Sequence, residues 1–274
     1  LTATFDWFNR QTTGMLAAGI EIPKVVGTTA PLQNVADMKN KGWELNVTWR
    51  DKIGDFSYHV GFNIYDSQAE ITRFNNESGL LSDYYVGMKI GDIWGYVSDG
   101  YYTINDFNEA DAKHKTWTLK QGVTKINGFN PQPGDVKFKD LREDGVINAG
   151  DNTVENPGDR KVIGNNASRY QFGASLGAAY KGLSLEVLLQ GVGKRDYWLG
   201  GSAVFPFGGA GAGDAVFQAL YSNQTDYWRA KSYDPASSDY MIPENPNSKL
   251  FRIYDQGNNV ASNARVSDKY LQNA

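Results

Sequence analysis

The stretch Asp140–Asp151, DLREDGVINAGD, has oxygen donors at the spacing of a calcium loop. Asp140 takes the first position, Asp144 the fifth, Asn148 the ninth and Asp151 the twelfth. Val146 would offer its carbonyl at the seventh, and Gly145 would permit the sharp turn. A hard cation needs several oxygens at close range, so these residue types suit it. Arg142 departs from the pattern, because a cation stands at the third position, where an oxygen belongs. The same residues also describe a turn-rich Asp/Gly/Asn loop without metal.

A second group of residues suits sugar chemistry. Trp94, Tyr96, Tyr101, Tyr102, Trp117, Tyr227 and Trp228 fall in long polar connections rich in Asp and Asn. Aromatic faces beside carboxylates and amides match a sugar ring, which has an apolar face and hydroxyl edges. Such rings also give a long loop its own core. His59 and His114 stand apart from any partner at useful spacing, so neither points to catalysis or a metal. The glycine run Gly208–Gly213 lacks the Lys-Ser/Thr of a phosphate loop and reads as a surface loop. There is no nucleophile elbow, and no Cys for thiol catalysis or a zinc cluster. Carboxylates are plentiful, but no spacing pairs them for glycoside hydrolysis. The expectation is a protein that is not an enzyme.

The elements that position these residues alternate with period two. Trp43, Leu45, Val47 and Trp49 oppose Glu44, Asn46, Thr48 and Arg50. Phe56, Tyr58, Val60, Phe62 and Ile64 share one face, as do Tyr170, Phe172, Ala174, Leu176, Ala178 and Tyr180. Leu183, Leu185, Val187 and Leu189 form another such face, and Leu1, Ala3, Phe5 and Trp7 another. Strands of about nine to twelve residues are long enough to cross a bilayer when tilted. Composition sets the bounds: 274 residues are 41% hydrophobic, 13% aromatic and 21% charged, with 27 Lys+Arg against 31 Asp+Glu. These values exclude disorder and a disulfide scaffold. No run of about 18 apolar residues occurs, which excludes a helical span. The mild acidity argues against a dedicated nucleic-acid binder.

Two connections are tight, DKIGD after Arg50 and KG after Tyr180. The others are long, at 11–38, 76–166 and 193–262. Short turns at one end and long loops at the other describe an outer-membrane barrel. A soluble sandwich alternates too. Two features favour the barrel: aromatics at the ends of the apolar faces (Trp43, Trp49, Phe56, Tyr170, Tyr180), and small neutral residues on the polar faces. About five or six crossings are visible, and the smallest bacterial barrels need about eight. The chain therefore reads as part of a longer one, beginning within a strand at Leu1.

The segments NKGWELNVTWR, FSYHVGFNI, GDIWGYVSDGYYT, PGDVKFKDLREDGVIN, RYQFGASLGAAYKGLSLEVLLQGVGKRD and YWRAKSYDPASSDYMIPENPNS resemble, in order and spacing, the late barrel region of the SusC/RagA family of TonB-dependent outer-membrane transporters. The resemblance covers nearly the whole chain. It implies an all-β fold, a fragment of a 22-stranded transmembrane antiparallel barrel with long extracellular loops. All of residues 1–274 would belong to one barrel domain, with the plug and the final strands outside this chain. It also implies a SusD-type surface lipoprotein as lid, energy from TonB through the plug region, and import of an oligomeric nutrient, a glycan or a peptide. The alternatives are a soluble or cell-surface all-β carbohydrate-binding module and a passive porin.

Overall fold

The computed structural model describes residues 1–18, 27, 31–108, 117–206, 219–254 and 262–273. Its strands are β1 (Thr2–Ala18), β2 (Leu32–Ile53), β3 (Phe56–Arg73), β4 (Asp92–Tyr96), β5 (Ser98–Tyr101), β6 (Val136–Phe138), β7 (Arg160–Asn165), β8 (Arg169–Tyr180), β9 (Leu183–Lys194), β10 (Asp196–Trp198) and β11 (Leu271–Asn273). Five of them form one antiparallel sheet in the order β1-β2-β3-β8-β9. The remaining six pair two by two, β4 with β7, β5 with β6 and β10 with β11.

The register turns the alternation into rows across the sheet. Val47 faces Ala3 on one side and Phe62 on the other, and Phe62 continues to Ala174 and Leu189. The row Phe5–Leu45–Ile64–Phe172 and the row Trp49–Val60–Leu176–Val187 lie on the same face. Opposed residues of an antiparallel pair share a face, so the apolar sets of all five strands fall on one side. That side is not covered: Phe5 and Trp7 are 65% exposed and Leu185 is 66% exposed. Two tight turns close the hairpins at one end, with Gly54 at φ 61° and Lys181–Gly182 at φ 45° and 90°. Positive φ at both central residues, as at Lys181–Gly182, is the requirement of a type I′ turn, and positive φ at the first alone, as at Gly54 before Asp55, that of a type II′ turn.

β1, β2 and β3 contain 17, 22 and 18 residues, well beyond the nine to twelve that the alternation indicated. The connection expected at 11–38 is therefore mostly strand, since β1 runs to Ala18 and β2 starts at Leu32. Past Trp7 and Trp43 the strands no longer separate apolar from polar residues, so the sequence signal stops while the backbone ladder continues. Trp49 also departs from expectation. It faces Val60, inside the apolar field, while Phe56 and Tyr180 pair in the row beside the turns.

The buried core lies outside the five-stranded sheet. Tyr96, Ile126, Phe129, Val136, Phe138, Ile147, Phe205, Leu250, Phe251 and Tyr270 form one cluster, and Trp228, Ala230, Tyr240 and Met241 another. Both are built from the long connections, held by β4–β7 and β5–β6 pairing. Apolar burial at roughly 25 cal/mol per Å² therefore stabilises the loops, and the sheet's apolar face contributes little of it.

Candidate functional site

The polar face of the sheet carries the row Thr4–Asn46–Asn63–Gly173–Gln190 and the row Thr48–Gly61–Ser175–Leu188. All of these but Thr4 line an open groove of about 860 Å³ whose polar contacts come from Asn46, Thr48, Asn63, Gln171, Ser175 and Gln190. The donors and acceptors are amides and hydroxyls, without a charge among those six. Glycines keep the groove open: a Cβ at Gly173 would meet the Asn63 amide, and one at Gly61 the Ser175 hydroxyl. Leu188 and Val192 interrupt the polarity on β9, an edge of the sheet. Toward the turns, His59 and Glu186 share a row through Gly177 and bond at 2.9 Å (Nε2 to Oε1). The lone His59 is thus a hydrogen-bond partner of Glu186 on the polar face.

The predicted sugar-binding rings occupy a different place. Tyr96, Tyr102 and Trp228 are 5%, 1% and 1% exposed, buried in the loops' own core. Tyr101 packs against both clusters and donates its hydroxyl to the Ser248 carbonyl at 2.9 Å. Burial pushes the Tyr101 and Tyr102 hydroxyls above their usual range. Trp117 sits between Phe107, edge-on at 5.3 Å, and Tyr240, stacked at 6.2 Å. Tyr227 packs beside the larger cluster, and Trp94 donates its indole N–H to the Tyr85 hydroxyl at 2.8 Å. Connections this long must bury apolar area of their own to hold a shape, and Tyr96, Tyr102 and Trp228 do it. His114 and Gly208–Gly213 lie outside the described residues.

The DLREDGVINAGD loop closes on itself. Asp140 Oδ2 accepts from Gly145 N–H at 2.7 Å, and Asp144 Oδ1 from Val146 N–H at 3.0 Å. Asn148 Oδ1 accepts from Gly150 N–H at 2.7 Å, and Asp151 Oδ2 from the Asn156 amide at 2.8 Å. Arg142 Nη2 lies 2.9 Å from Asp144 Oδ2, so the residue at the third position neutralises the carboxylate at the fifth. Desolvation pushes Asp140 up, but the N–H groups of Gly145, Glu143 and Asp144 outweigh it and hold the carboxyl below its usual range. Gly145 supplies the expected left-handed turn at φ 87°. Among the described residues, no group of three or more His, Asp or Glu side chains is placed to hold a metal ion.

Two carboxylates that the sequence reading passed over organise this region. Asp159, fully buried, accepts from the N–H groups of Leu141, Arg142 and Asn148 at 3.0, 3.3 and 2.8 Å. Asp135, also fully buried, accepts from Gln132 N–H at 2.7 Å, Tyr254 Oη at 2.5 Å and Asn263 Nδ2 at 2.8 Å. Burial pushes Asp135 up to about 6 against these hydrogen bonds. Both follow a Pro-Gly pair, Pro133-Gly134 and Pro157-Gly158, whose glycines have φ 94° and 65°. The repeated PGD triplet was the available signal: a left-handed glycine turns the chain inward and buries the next carboxylate, which at Asp135 also accepts from Gln132 in its own turn.

No family model matches the chain. Among curated proteins it is similar to TonB-dependent receptor P3 of Formosa agariphila, 23% identical over 204 residues, covering 69% of this chain and 18% of that protein. It is also similar to TonB-dependent receptor P39 of the same organism, 24% identical over 202 residues, 65% of this chain and 19% of that protein. The chain thus spans about a fifth of the length of these relatives. Among solved structures, the RagAB peptide importer in its open-open state aligns with a TM-score of 0.50 and 20% identity, over 76% of this chain and 20% of that chain. That likeness concerns the fold.

Proposed function

We propose that this chain, a relative of the TonB-dependent receptors of the SusC/RagA type, forms part of the wall of an outer-membrane active transporter. The carrying observation is the five-stranded sheet itself. It has an exposed apolar face, a neutral polar face and two edge strands, β1 and β9, each paired on one side. A sheet of this kind becomes stable when further strands close it and lipid covers its outer face. In this reading residues 1–274 belong to one transmembrane domain, a fragment of a 22-stranded barrel. The hairpin turns face the periplasm and the long connections face outward.

The polar face then lines the lumen, and the loops contact cargo and a SusD-type surface lipoprotein. Energy reaches the barrel from TonB through a plug carried by the rest of the protein. The cargo is an oligomeric nutrient, with glycans as the proposed class, supported by the amide and hydroxyl lining around Asn46, Asn63, Gln171 and Gln190. A peptide backbone would use the same donors and acceptors, and RagAB is described as a peptide importer. Binding of oligosaccharide against peptide pools by the purified full-length protein decides between the two. If that protein is monodisperse without detergent, the wall reading fails and the soluble carbohydrate-binding module takes its place. Uptake that persists after the proton-motive force is collapsed identifies a passive porin instead.

A further inference from the structure

The outward face of the sheet continues past its aromatic row. On β2 the residues of that face beyond Trp43 are Lys41, Lys39 and Asp37, and Asp37 is held by the guanidinium of Arg73 at 2.7 Å. Lys41 pairs with Asn9 on β1 and Gln68 on β3, and Lys39 pairs with Gln11 and Glu70. Glu70 in turn bridges the backbone of Lys89 in an antiparallel contact, which places Lys89 on the same face. Three ammonium groups and the Glu70 carboxylate therefore follow the Trp7–Trp43 row, with the Asp37–Arg73 pair neutralising itself beyond them. Among the described residues none of the three lysines has a carboxylate within salt-bridge distance. Asp66, in the aromatic row, is engaged by the guanidinium of Arg169, so it does not neutralise them. Lys41 and Lys89 are exposed.

We propose that Lys39, Lys41 and Lys89 form a belt that binds the phosphate of a phosphorylated lipid headgroup in the outer leaflet. The inference rests on the wall reading above. Interfacial Trp marks the headgroup level of a bilayer. Two residues along a strand advance about 7 Å, so Lys41 and Lys39 stand about 7 and 13 Å along β2 beyond Trp43, within the polar layer that their stems bridge back to the headgroup level. Long lysine stems cover the aromatic edge while their charged heads reach the polar layer. The belt keeps a positive balance, three lysines against Glu70, and lies on the lipid side of the sheet and not on the side of the lumen.

The test uses the full-length protein in detergent micelles and native mass spectrometry with monophosphoryl lipid A and its dephosphorylated form. Each lysine near an anionic surface strengthens binding by about fivefold, so the triple variant K39Q/K41Q/K89Q weakens binding of the phosphorylated lipid by about a hundredfold. Binding of the dephosphorylated lipid stays equal in both proteins. If the triple variant does not fold, K41Q alone is expected to weaken binding about fivefold, and no change would overturn the belt. Equal retention of both lipids by the unmodified protein also overturns it. So does displacement by inorganic phosphate at millimolar concentration, which would show a free-anion site. A protein soluble without detergent sinks the wall reading, whereas a detergent-dependent protein with unaltered lipid binding sinks the belt alone.

Discussion

A single arginine placed at different depths and on different faces tests the sheet's orientation most directly. From Trp43 to Ile53 is ten residue steps along β2. At about 3.3 Å per residue and a tilt of about 40°, that length spans about 25 Å, the height of an apolar band in an outer-membrane barrel. Val47 lies near its middle, in the row with Phe62 and Leu189, while Ile53 lies at the turn end, opposite Phe56. Val47→Arg should destabilise the folded barrel by about 2–4 kcal/mol, and Ile53→Arg by about 0–1 kcal/mol. Asn46→Arg, one residue away but lining the groove, should stay within about 0.5 kcal/mol. Reversible folding of the full-length protein into lipid bilayers, followed by tryptophan fluorescence against denaturant, measures all three. The expected gap between Val47→Arg and Asn46→Arg corresponds to at least about tenfold in the folding equilibrium. Equal effects at Val47 and Ile53 would remove the depth dependence that lipid imposes. A larger effect at Asn46 than at Val47 would reverse the two faces and refute the assignment.

Asp135 sets a pH dependence in the loops. Burial holds its folded carboxyl at about 6, above the unfolded value of 3.8. Its contribution to stability is therefore complete below about pH 4 and is lost as pH rises through about 6, a difference of about 3 kcal/mol. Hydrogen exchange of the 132–136 segment should show that slope, and Asp135→Asn should flatten it; a flat profile in the unmodified protein contradicts the assignment. Trp228→Ala removes a fully buried ring and should cost about 3–5 kcal/mol of loop stability, seen as faster proteolysis of the long connections with the sheet intact. Unchanged proteolysis with lost cargo binding would return Trp228 to the cargo surface. For calcium at Asp140, Asp144, Val146, Asn148 and Asp151, Arg142→Asn replaces the competing cation by an oxygen donor and should tighten calcium binding at least about tenfold by calorimetry. Identical heats for the two proteins would mark the loop as metal-free.

The face assignments could be read from the sequence because a period of two survives any register, and the register then aligned Phe5, Leu45, Ile64 and Phe172 in one row. Gly54 and Gly182 likewise announced the two tight turns. Strand length could not be read, since β1 to β3 continue beyond Trp7 and Trp43 on backbone pairing that carries no apolar period. The role of the loop rings was hidden for a related reason. Trp117 stacks on Tyr240, which comes from a different long connection, and packs with it against the cluster of Trp228 and Met241. Local composition looks the same whether a ring meets a sugar or another ring. Asp159 was missed because its three N–H donors come from two separate turns.

These placements change where cargo contacts are to be sought. A ring that recognises a sugar or peptide must offer a face to solvent, and Tyr96, Tyr102 and Trp228 do not. Tyr84, Tyr221 and Tyr233 do, at 51%, 59% and 51% exposed. Tyr233 also bonds the backbone of Ala230 through its hydroxyl at 3.2 Å and has the guanidinium of Arg252 over its ring at 5.7 Å. It is thus held in place by the same segment that the Trp228 cluster stabilises. If the proposed cargo binding holds, the buried rings act by fixing the position of the exposed ones, which would lower the conformational entropy lost when a flexible oligomer binds. On this argument Tyr233→Ala should weaken cargo binding without changing loop proteolysis, the opposite pattern to Trp228→Ala. If both variants behave alike, the separation between a supporting core and a presenting surface is wrong.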